Sequence, residues 1–254
     1  MIDTVLFDMG GTLEEIYSDQ KTMAETAKGI RRILQKHDIC LPMDDVALWA
    51  SVSAGMQRYK RLSEQTCMEL KPEQIWPEYA LCSLPVEKER LVPISEELAY
   101  MWELTFYTRK MRPRVHEMLE GLREIGIRMG VISNTASLYQ VFETLEEYGI
   151  RSYFEDVTLS STVGYRKPNP NIFFIALHQL RAKPENCAYV GDTISRDVIG
   201  AKNAGFGLTL QINSFLTADR DVRTDGVQPD YLLNEIYDVY PICKMLREAE
   251  NKTA

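Results

Sequence analysis

Polar residues follow three apolar runs of the chain, each at the point where the run stops. The runs at positions 4–7, 129–132 and 187–190 end at Asp8, at Ser133 with Asn134, and at Gly191 with Asp192. If these runs are strands of one parallel sheet, their carboxyl ends lie along a single edge, where open α/β folds bind ligands. Two glycines follow Asp8 and permit a sharp turn directly after the first run. We therefore expect these side chains to converge on one site.

A lysine in the segment Gly164–Pro170 adds a positive charge to this set. Lys167 stands three residues before Pro170, where we predict that a helix over 170–182 begins. The N-terminus of a helix attracts anions, because its backbone N–H groups are unpaired and the helix dipole is positive there. A lysine beside such a terminus favours an anionic ligand.

The overall composition argues against some classes of ligand and indicates the cellular compartment. A net charge of −8 argues against nucleic-acid binding, which needs clustered Lys and Arg, but it does not exclude an anionic small molecule. The five cysteines form no C-x-x-C pair and favour a reducing cytoplasm over a disulfide framework or a zinc site. We see no signal-type leader and no apolar stretch long enough to span a membrane, so we predict a cytoplasmic protein. The oligomeric state stays open.

The spacing of apolar residues divides the chain into two kinds of structure. From about residue 19 to 107 they recur at three- and four-residue steps, which is typical of helices, and four prolines punctuate the later part. After Pro113 apolar runs alternate with helical patterns, which predicts a parallel sheet covered by helices on both faces. The predicted fold is α/β, with a Rossmann-like core of residues 1–13 and 109–254 and a smaller all-helical cap of residues 14–108.

Within the core, the pattern predicts individual elements. We expect helices over 114–125, 137–148, 170–182 and 195–204, strands near 129–132, 156–160, 187–190, 207–212 and 231–233, and a closing helix.

The polar segments, taken in order, resemble the four motifs of the haloacid dehalogenase superfamily. Those motifs are an apolar strand before D-x-D-G-T, an apolar strand before Ser or Thr, a Lys often followed by Pro, and G-D followed by a second Asp. The chain reads FDMGGT, VISNT, GYRKPNP and VGDTISRDVIGAKNAG at these places. The likeness covers about residues 1–13 and 109–240, and the spacing fits a helical cap inserted after the first motif. One such motif alone is weak evidence, whereas four in order are specific.

The resemblance implies a hydrolase that uses Mg²⁺ and acts on a small phosphorylated substrate. It implies that Asp8 is the nucleophile and forms an aspartyl-phosphate, which is nucleophilic catalysis by a carboxylate. It also implies that Asp8, the backbone carbonyl of Gly10 and Asp192 bind the metal, supported by Asp197. Carboxylate and carbonyl oxygens are ligands that suit Mg²⁺.

The same resemblance assigns groups that contact the transferred phosphoryl group. It assigns catalytic roles to the hydroxyls of Thr12 and Ser133, and it places Gly11, Ser133 and the amide of Asn134 against the substrate. Lys167 has both roles, because its ammonium group neutralises the nucleophile and the charge that develops on the phosphoryl oxygens.

Gly10 departs from the family pattern. The family's phosphatases carry a second Asp at this place, which protonates the leaving group and then activates water. A positioned acid–base group of this kind contributes about 10²–10⁴-fold in rate. The backbone carbonyl of Gly10 survives, but the side chain that would transfer the proton is missing. We expect weakened activity, a preference for good leaving groups such as acyl phosphates, or another acid, for which Glu14 and Glu15 are candidates.

Three alternatives fit the missing Asp. A non-catalytic relative could bind a phosphate ligand or a protein partner, although the intact Asp8, Lys167 and Asp192 argue against it. A dehalogenase needs no proton donor for halide, but such enzymes do not use Mg²⁺. A phosphonatase also lacks this Asp, but it requires a cap lysine that forms a Schiff base. No cap lysine has an apolar setting that indicates a lowered pKa; these lysines are Lys21, Lys28, Lys36, Lys60, Lys71 and Lys88.

Overall fold

The computed structural model describes residues 1–214, 217, 221 and 226–251, with backbone alone for the last two. Its strands are β1 (Thr4–Phe7), β2 (Glu14–Tyr17), β3 (Thr108–Met111), β4 (Arg128–Ser133), β5 (Asp156–Leu159), β6 (Cys187–Gly191), β7 (Leu208–Ile212) and β8 (Tyr231–Leu233). Six of them form a parallel sheet in the order β5-β4-β1-β6-β7-β8, which confirms the predicted α/β fold. The predicted core runs to residue 254, and its positions 252–254 and most of 215–225 lie outside the described residues.

Helices surround the sheet and also fill the segment between β2 and β3. The α-helices of the described chain are α1 (Gln20–Lys36), α2 (Asp45–Thr66), α3 (Pro72–Ile75), α4 (Lys88–Leu91), α5 (Ser95–Thr105), α6 (Val115–Glu124), α7 (Gln140–Glu147), α8 (Ser160–Val163), α9 (Pro170–Leu180), α10 (Ile199–Asn203) and α11 (Val239–Asn251). Within the described ranges, no helix combines the length and the apolar character that a membrane crossing requires.

The sheet is buried on both faces because successive strand residues point to opposite sides. In β1, Val5 and Phe7 pack in an apolar cluster with residues of α6, α7 and α11. Leu6, which lies between them in sequence, packs in a second cluster with α9 and α10. This two-sided burial explains why the core strands are continuous apolar runs rather than alternating ones.

The register of the central strands brings the polar chain segments together. Phe7 is paired with Val131 of β4 on one side and with Val190 of β6 on the other. Asp8 therefore leaves the sheet at the same level as the ends of β4 and β6. The predicted convergence of these strand ends follows directly from this register.

The segment between β2 and β3 has an apolar core of its own. Leu48 of α2 and Leu98 of α5 are fully buried in a cluster that contains side chains only from this segment. Three aromatic rings strengthen it, since Trp102 stacks on Phe106 and on Trp49 with centroids 4.7 Å and 5.7 Å apart. Residues 19–107 contain helices as predicted, apart from one isolated bridge between Met68 and Tyr165.

The ends of this segment are strands, which corrects the prediction of helix alone over 14–108. β2 and β3 pair antiparallel, with Ile16 opposite Arg109. The four residues of β2 alternate between buried and exposed positions, as expected for a strand with one covered face. Two of the four are glutamates, so their β character was not visible in the apolar pattern.

Two helix starts in the core also differ from the prediction. The helix expected from 137 begins three residues later, at Gln140; in the turn before it, the hydroxyl of Ser137 accepts the N–H groups of Tyr139 and Gln140 at 3.3 and 3.2 Å. The helix expected over 195–204 begins as a π-helical turn, Ile194–Val198, before α10. Such turns are frequent at functional sites.

We predict that residues 14–108 and the sheet-containing unit respond separately to core mutations. Leu48→Ala and Leu6→Ala each remove a fully buried leucine, so each should lower the free energy of unfolding of its own unit by about 2–5 kcal/mol. Hydrogen exchange should show lost protection mainly in α1, α2 and α5 for Leu48→Ala, and in β1, β4 and β6 for Leu6→Ala. Equal loss of hydrogen-exchange protection throughout the chain in both variants would contradict the division into two units.

Candidate active site

Asp8 is held at the end of β1 by contacts to both carboxylate oxygens. Its backbone N–H donates to the carbonyl of Val190 at 2.9 Å, which continues the strand pairing by one residue. Lys167 Nζ donates to Oδ1 at 2.6 Å and Thr12 Oγ1 donates to Oδ2 at 3.1 Å. Burial raises the pKa of Asp8, and the nearby ammonium group opposes this effect. The hydroxyl of Thr12 is thus engaged by Asp8 itself.

The loop after Asp8 folds back on itself around one carbonyl oxygen. Met9 O accepts the N–H groups of Thr12, Leu13 and Glu14 at 3.2, 3.0 and 3.3 Å. Gly11 N–H donates to the carbonyl of Glu14 at 2.8 Å, which closes the turn. These bonds hold Gly10 and Gly11 in a compact loop beside Asp8.

Gly11 is required where this loop touches the end of β6. Its φ of +94° lies in the region that favours glycine. A Cβ at this position would lie 2.3 Å from Asp192 Oδ2, far inside van der Waals contact. Because Gly11 has no side chain, the loop can approach Asp192 this closely.

Three buried carboxylates meet at this edge of the sheet. One oxygen atom from each of Asp8, Asp192 and Asp197 lies within 4.8 Å of the other two. Burial raises the pKa of Asp192 far above its ordinary value, and repulsion from Asp197 and Asp8 adds to this effect. Burial also opposes ionisation of Asp197, but Lys167 and Arg196 lower its pKa to about 2. With all three carboxylates ionised, the cluster would carry one negative charge more than Lys167 and Arg196 offset.

The donor set of this cluster fits a divalent cation with oxygen ligands. Mg²⁺ prefers carboxylates, carbonyls and water, and the cluster offers three carboxylates beside the loop that contains Gly10. Asp192 is oriented by Ser214 Oγ, which donates to its Oδ2 at 2.6 Å. The raised pKa of Asp192 indicates a carboxylate that lacks a neutralising partner, which a bound cation would supply.

Lys167 links the carboxylates from the opposite side. Its Nζ lies within hydrogen-bond distance of Asp8 Oδ1 (2.6 Å), Asp197 Oδ1 (2.7 Å), the hydroxyl of Tyr189 (3.0 Å) and the carbonyl of Ile132 (3.2 Å). Burial alone lowers the pKa of this lysine, but Asp197 and Asp8 together raise it above its ordinary value. The side chain is therefore a fully buried ammonium ion.

The two polar residues at the end of β4, Ser133 and Asn134, have different roles. Asn134 holds the lysine loop, since its Oδ1 accepts Lys167 N–H at 2.9 Å and its Nδ2 donates to Lys167 O at 3.2 Å. The amide that the resemblance places against substrate is thus engaged by the backbone. Ser133 is buried at the end of β4, and its hydroxyl makes no hydrogen bond to the described part of the chain.

Sequence reasoning missed two residues that contact this charge cluster. Tyr189 lies in the middle of β6, and its hydroxyl contacts Lys167 and, at 3.3 Å, Asp197 Oδ1. Arg196 donates through Nε to the hydroxyl of Thr193 at 3.3 Å, and the carboxylates of Asp192 and Asp197 raise its pKa against the effect of burial. In the sequence, Tyr189 could have been noticed as a tyrosine inside an apolar strand, and Arg196 as an arginine directly before a motif aspartate.

A third missed residue, Glu69, joins the helical segment to the lysine loop. Its backbone N–H donates to the carbonyl of Gly164 at 2.9 Å. Its carboxylate accepts the hydroxyl of Ser160 at 2.6 Å and also bonds Arg166 and Tyr59. A single glutamate near the end of a long helical pattern gives no sequence signal for such a contact.

The two acids named as substitutes for the missing aspartate lie in different environments. Glu15 is exposed at the surface, and its carboxylate lies 3.5 Å from Arg112. Glu14 is fully buried, bonds Arg109 and accepts the hydroxyl of Tyr148 at 2.9 Å. The alternation of β2 explains the difference, because neighbouring residues face opposite sides.

Comparison with known proteins identifies similar chains. The family described as haloacid dehalogenase-like hydrolase matches residues 2–205. A glyceraldehyde 3-phosphate phosphatase of Methanopyrus kandleri is 28% identical over 94% of this chain and 97% of its own length. The Methanothermobacter thermautotrophicus protein of that name is 42% identical, over 43% of this chain and 48% of its own. The solved 2-haloacid dehalogenase of Pseudomonas syringae shares the fold at TM-score 0.68 and 19% identity, covering 97% and 100% of the two chains.

Mg²⁺ should stabilise the folded protein, because it neutralises carboxylates that repel one another in its absence. At a concentration of 100 Kd the gain is about 2.7 kcal/mol, seen as a higher Tm that EDTA reverses. Asp192→Asn should raise the Tm without the metal, since an ionised carboxylate with a raised pKa destabilises the fold, and should remove the response to Mg²⁺. An unchanged Tm on adding Mg²⁺ to the unmodified protein would contradict the metal site.

Gly11→Ala should remove this response to Mg²⁺, because the new methyl group displaces Asp192. Gly226→Ala is the matched control, since Gly226 also has a positive φ of +76° but no heavy atom of the described residues within 4 Å of an added Cβ. Both variants carry about 1–2 kcal/mol of backbone strain. Thermal unfolding with and without Mg²⁺ separates them. If Mg²⁺ raises the Tm of Gly11→Ala as much as that of the unmodified protein, the close approach of Gly11 to Asp192 is not needed for metal binding.

Proposed function

The chain belongs to the haloacid dehalogenase-like hydrolases, and from this premise we propose that it is a Mg²⁺-dependent phosphohydrolase of a small phosphorylated metabolite, with Asp8 as nucleophile. One observation carries the proposal: the Asp8 carboxylate bonds a buried ammonium group, and one of its oxygens lies within 4.8 Å of an oxygen of each of two further carboxylates suited to a cation. Relatives named as phosphatases support the reaction class, one of them along nearly its whole length.

The proposed reaction has two displacement steps at phosphorus. The Asp8 carboxylate attacks phosphorus and the bond to the leaving oxygen breaks, which forms an aspartyl-phosphate. Water then attacks the same phosphorus atom, releases phosphate and restores the carboxylate. Covalent catalysis of this kind replaces one difficult step with two easier ones.

The residues around Asp8 have separate tasks in this mechanism. Lys167 offsets negative charge at the nucleophile and on the phosphoryl oxygens, and Thr12 orients the carboxylate. Ser133 keeps a hydroxyl available for a phosphoryl oxygen at the end of β4. Asn134 acts by holding the lysine loop in place. Bound Mg²⁺, held by Asp8, the Gly10 carbonyl and Asp192 with Asp197 in support, would supply positive charge to the transferred group.

The alternatives from the sequence have less support. A phosphonatase requires a lysine whose pKa is lowered by burial, yet all six lysines of the helical segment are exposed. The likeness to a dehalogenase concerns the fold, which phosphatases share. A purely non-catalytic role does not explain why Asp8 and Lys167 form a buried ion pair, because removing two charges from water costs free energy.

Asp8→Asn should abolish phosphate release, with a loss of at least about 10³-fold, because the amide is a poor nucleophile. Asp38→Asn is a suitable control, since Asp38 is exposed and its φ of 57° suits asparagine equally well. The measurement is Mg²⁺-dependent phosphate release from p-nitrophenyl phosphate and acetyl phosphate. Equal rates in both variants, or no release by the unmodified protein, would reject the proposed function.

The missing side chain at Gly10 should make the rate depend on the leaving group. We expect kcat/KM for p-nitrophenyl phosphate to exceed that for glycerol 3-phosphate by about 10²-fold or more, because an alkoxide needs the proton that a positioned acid supplies. Steady-state kinetics on both substrates tests this. Similar values on both would contradict the predicted preference while leaving the phosphohydrolase proposal intact.

A further inference from the structure

The chain that follows α2 runs antiparallel to the residues directly before Lys167. Glu69 N–H donates to the carbonyl of Gly164 at 2.9 Å, and Arg166 N–H donates to the carbonyl of Cys67 at 3.0 Å. Backbone hydrogen bonds thus join the helical segment to the loop that carries the lysine. Any shift of this loop away from the helical segment breaks them.

The side chain of Glu69 adds a buried connection at the same place. Its carboxylate is 0% exposed, and the guanidinium of Arg166 that pairs with it is 18% exposed. Oε1 bonds the hydroxyl of Tyr59 in α2, whereas Oε2 bonds Arg166 and accepts the hydroxyl of Ser160 at 2.6 Å. The position of this carboxylate is well defined, because a shift would leave buried donors without a partner, and each such donor costs about 1–3 kcal/mol.

Ser160 extends the connection to the turn after β4. Its Oγ accepts the N–H of Thr135 at 3.0 Å. Thr135 directly follows Asn134, whose side-chain amide bonds both the N–H and the carbonyl of Lys167. The two sets of contacts that hold the backbone of Lys167 therefore meet at the carboxylate of Glu69.

The ammonium group of Lys167 is sensitive to small displacements of this backbone. Four oxygen atoms lie 2.6–3.2 Å from Nζ, and they belong to Asp8, Ile132, Tyr189 and Asp197. A shift of the loop lengthens several of these contacts together. In an enzyme, a misplacement of about 1 Å can cost about 10²-fold in rate.

We infer that Glu69 is a positioning residue of the site, through which the helical segment sets the position of the Lys167 ammonium group. The inference rests on the phosphohydrolase function proposed above, in which this group offsets charge on Asp8 and on the phosphoryl oxygens. Among the described residues, Glu69 bonds the lysine loop and not the ammonium group itself, so it acts on the reaction through Lys167. The site is then complete only when the chain after α2 is docked on the lysine loop.

A second contact between the two units provides a control. The hydroxyl of Tyr100 in α5 bonds the carboxylate of Glu143 in α7. This bond also joins the helical segment to the sheet-containing unit, but it involves neither the lysine loop nor the turn that contains Thr135. Tyr100→Phe therefore weakens the attachment of the segment without changing the partners of Glu69.

Glu69→Gln tests the inference, with Tyr100→Phe as its control. The amide keeps the size of the side chain, but it has one acceptor oxygen in place of two and no charge for Arg166. The ammonium signal of Lys167 reports its surroundings in ¹H–¹⁵N NMR of protein with ¹⁵N-labelled lysine, and its absence from Lys167→Met assigns it. We expect this signal to shift or broaden in Glu69→Gln and to stay unchanged in Tyr100→Phe. An unchanged signal in Glu69→Gln, or an equal change in both variants, would overturn the inference.

Kinetics of the same variants test the consequence for the reaction. We expect kcat for p-nitrophenyl phosphate, per folded molecule, to fall about tenfold or more in Glu69→Gln and less than about twofold in Tyr100→Phe. A merely structural role for Glu69 would lower the Tm of Glu69→Gln while kcat per folded molecule and the ammonium signal stay as in the unmodified protein. That result also rejects the assignment.

A second variant covers a folding defect in Glu69→Gln. Tyr59→Phe keeps the carboxylate and its ion pair with Arg166 but removes the hydroxyl through which α2 holds it, so smaller changes of the ammonium signal and of kcat should follow. No change in either quantity counts against the inference. Failure of the proposed function gives a different pattern, in which neither the unmodified protein nor Asp8→Asn releases phosphate while the ammonium signal still responds to Glu69→Gln.

Discussion

The ammonium group of Lys167 is the charge on which the arrangement of the site depends. It contacts Asp8 at 2.6 Å and Asp197 at 2.7 Å, and all three side chains are buried. Without it, Arg196 would have to offset these two carboxylates as well as Asp192, and removal of one partner from a buried pair typically costs about 3–5 kcal/mol. The lysine comes from the loop before α9, whereas its partners follow β1 and β6. One interaction therefore fixes three distant segments of chain.

The position of this lysine is itself determined from two sides. Asn134 holds the backbone of Lys167 from the end of β4. On the other side, Glu69 bonds the carbonyl of Gly164 and the side chain of Arg166, directly before the lysine. Glu69 follows α2, so the helical segment helps to position the Lys167 ammonium group, although the three carboxylates of the cluster all come from the sheet-containing unit.

The sequence predicted the residues whose position follows from strand ends, and it missed those positioned by tertiary contacts. Asp8 and Asp192 come together because Phe7 and Val190 are in register, which apolar runs and their polar termini make visible. Tyr189 and Glu69 have no such pattern, since a strand tyrosine and a loop glutamate acquire their partners only when distant elements pack. The helix predicted from 137 begins only at Gln140, and the helix predicted from 195 begins with a π-helical turn. Both features depend on local hydrogen bonds that periodicity does not describe.

Glu14 and Arg109 lie on the two strands that connect the sheet to the helical segment. The described chain passes between these units at β2 and at β3, which pair antiparallel, and the ion pair joins one strand to the other. The pair is buried, since Glu14 and Arg109 are 0% and 11% exposed. Loss of one partner would leave a charge unpaired and out of water, at a cost of about 3–5 kcal/mol. The connection between the two units is therefore held by this ion pair as well as by the backbone pairing of β2 with β3.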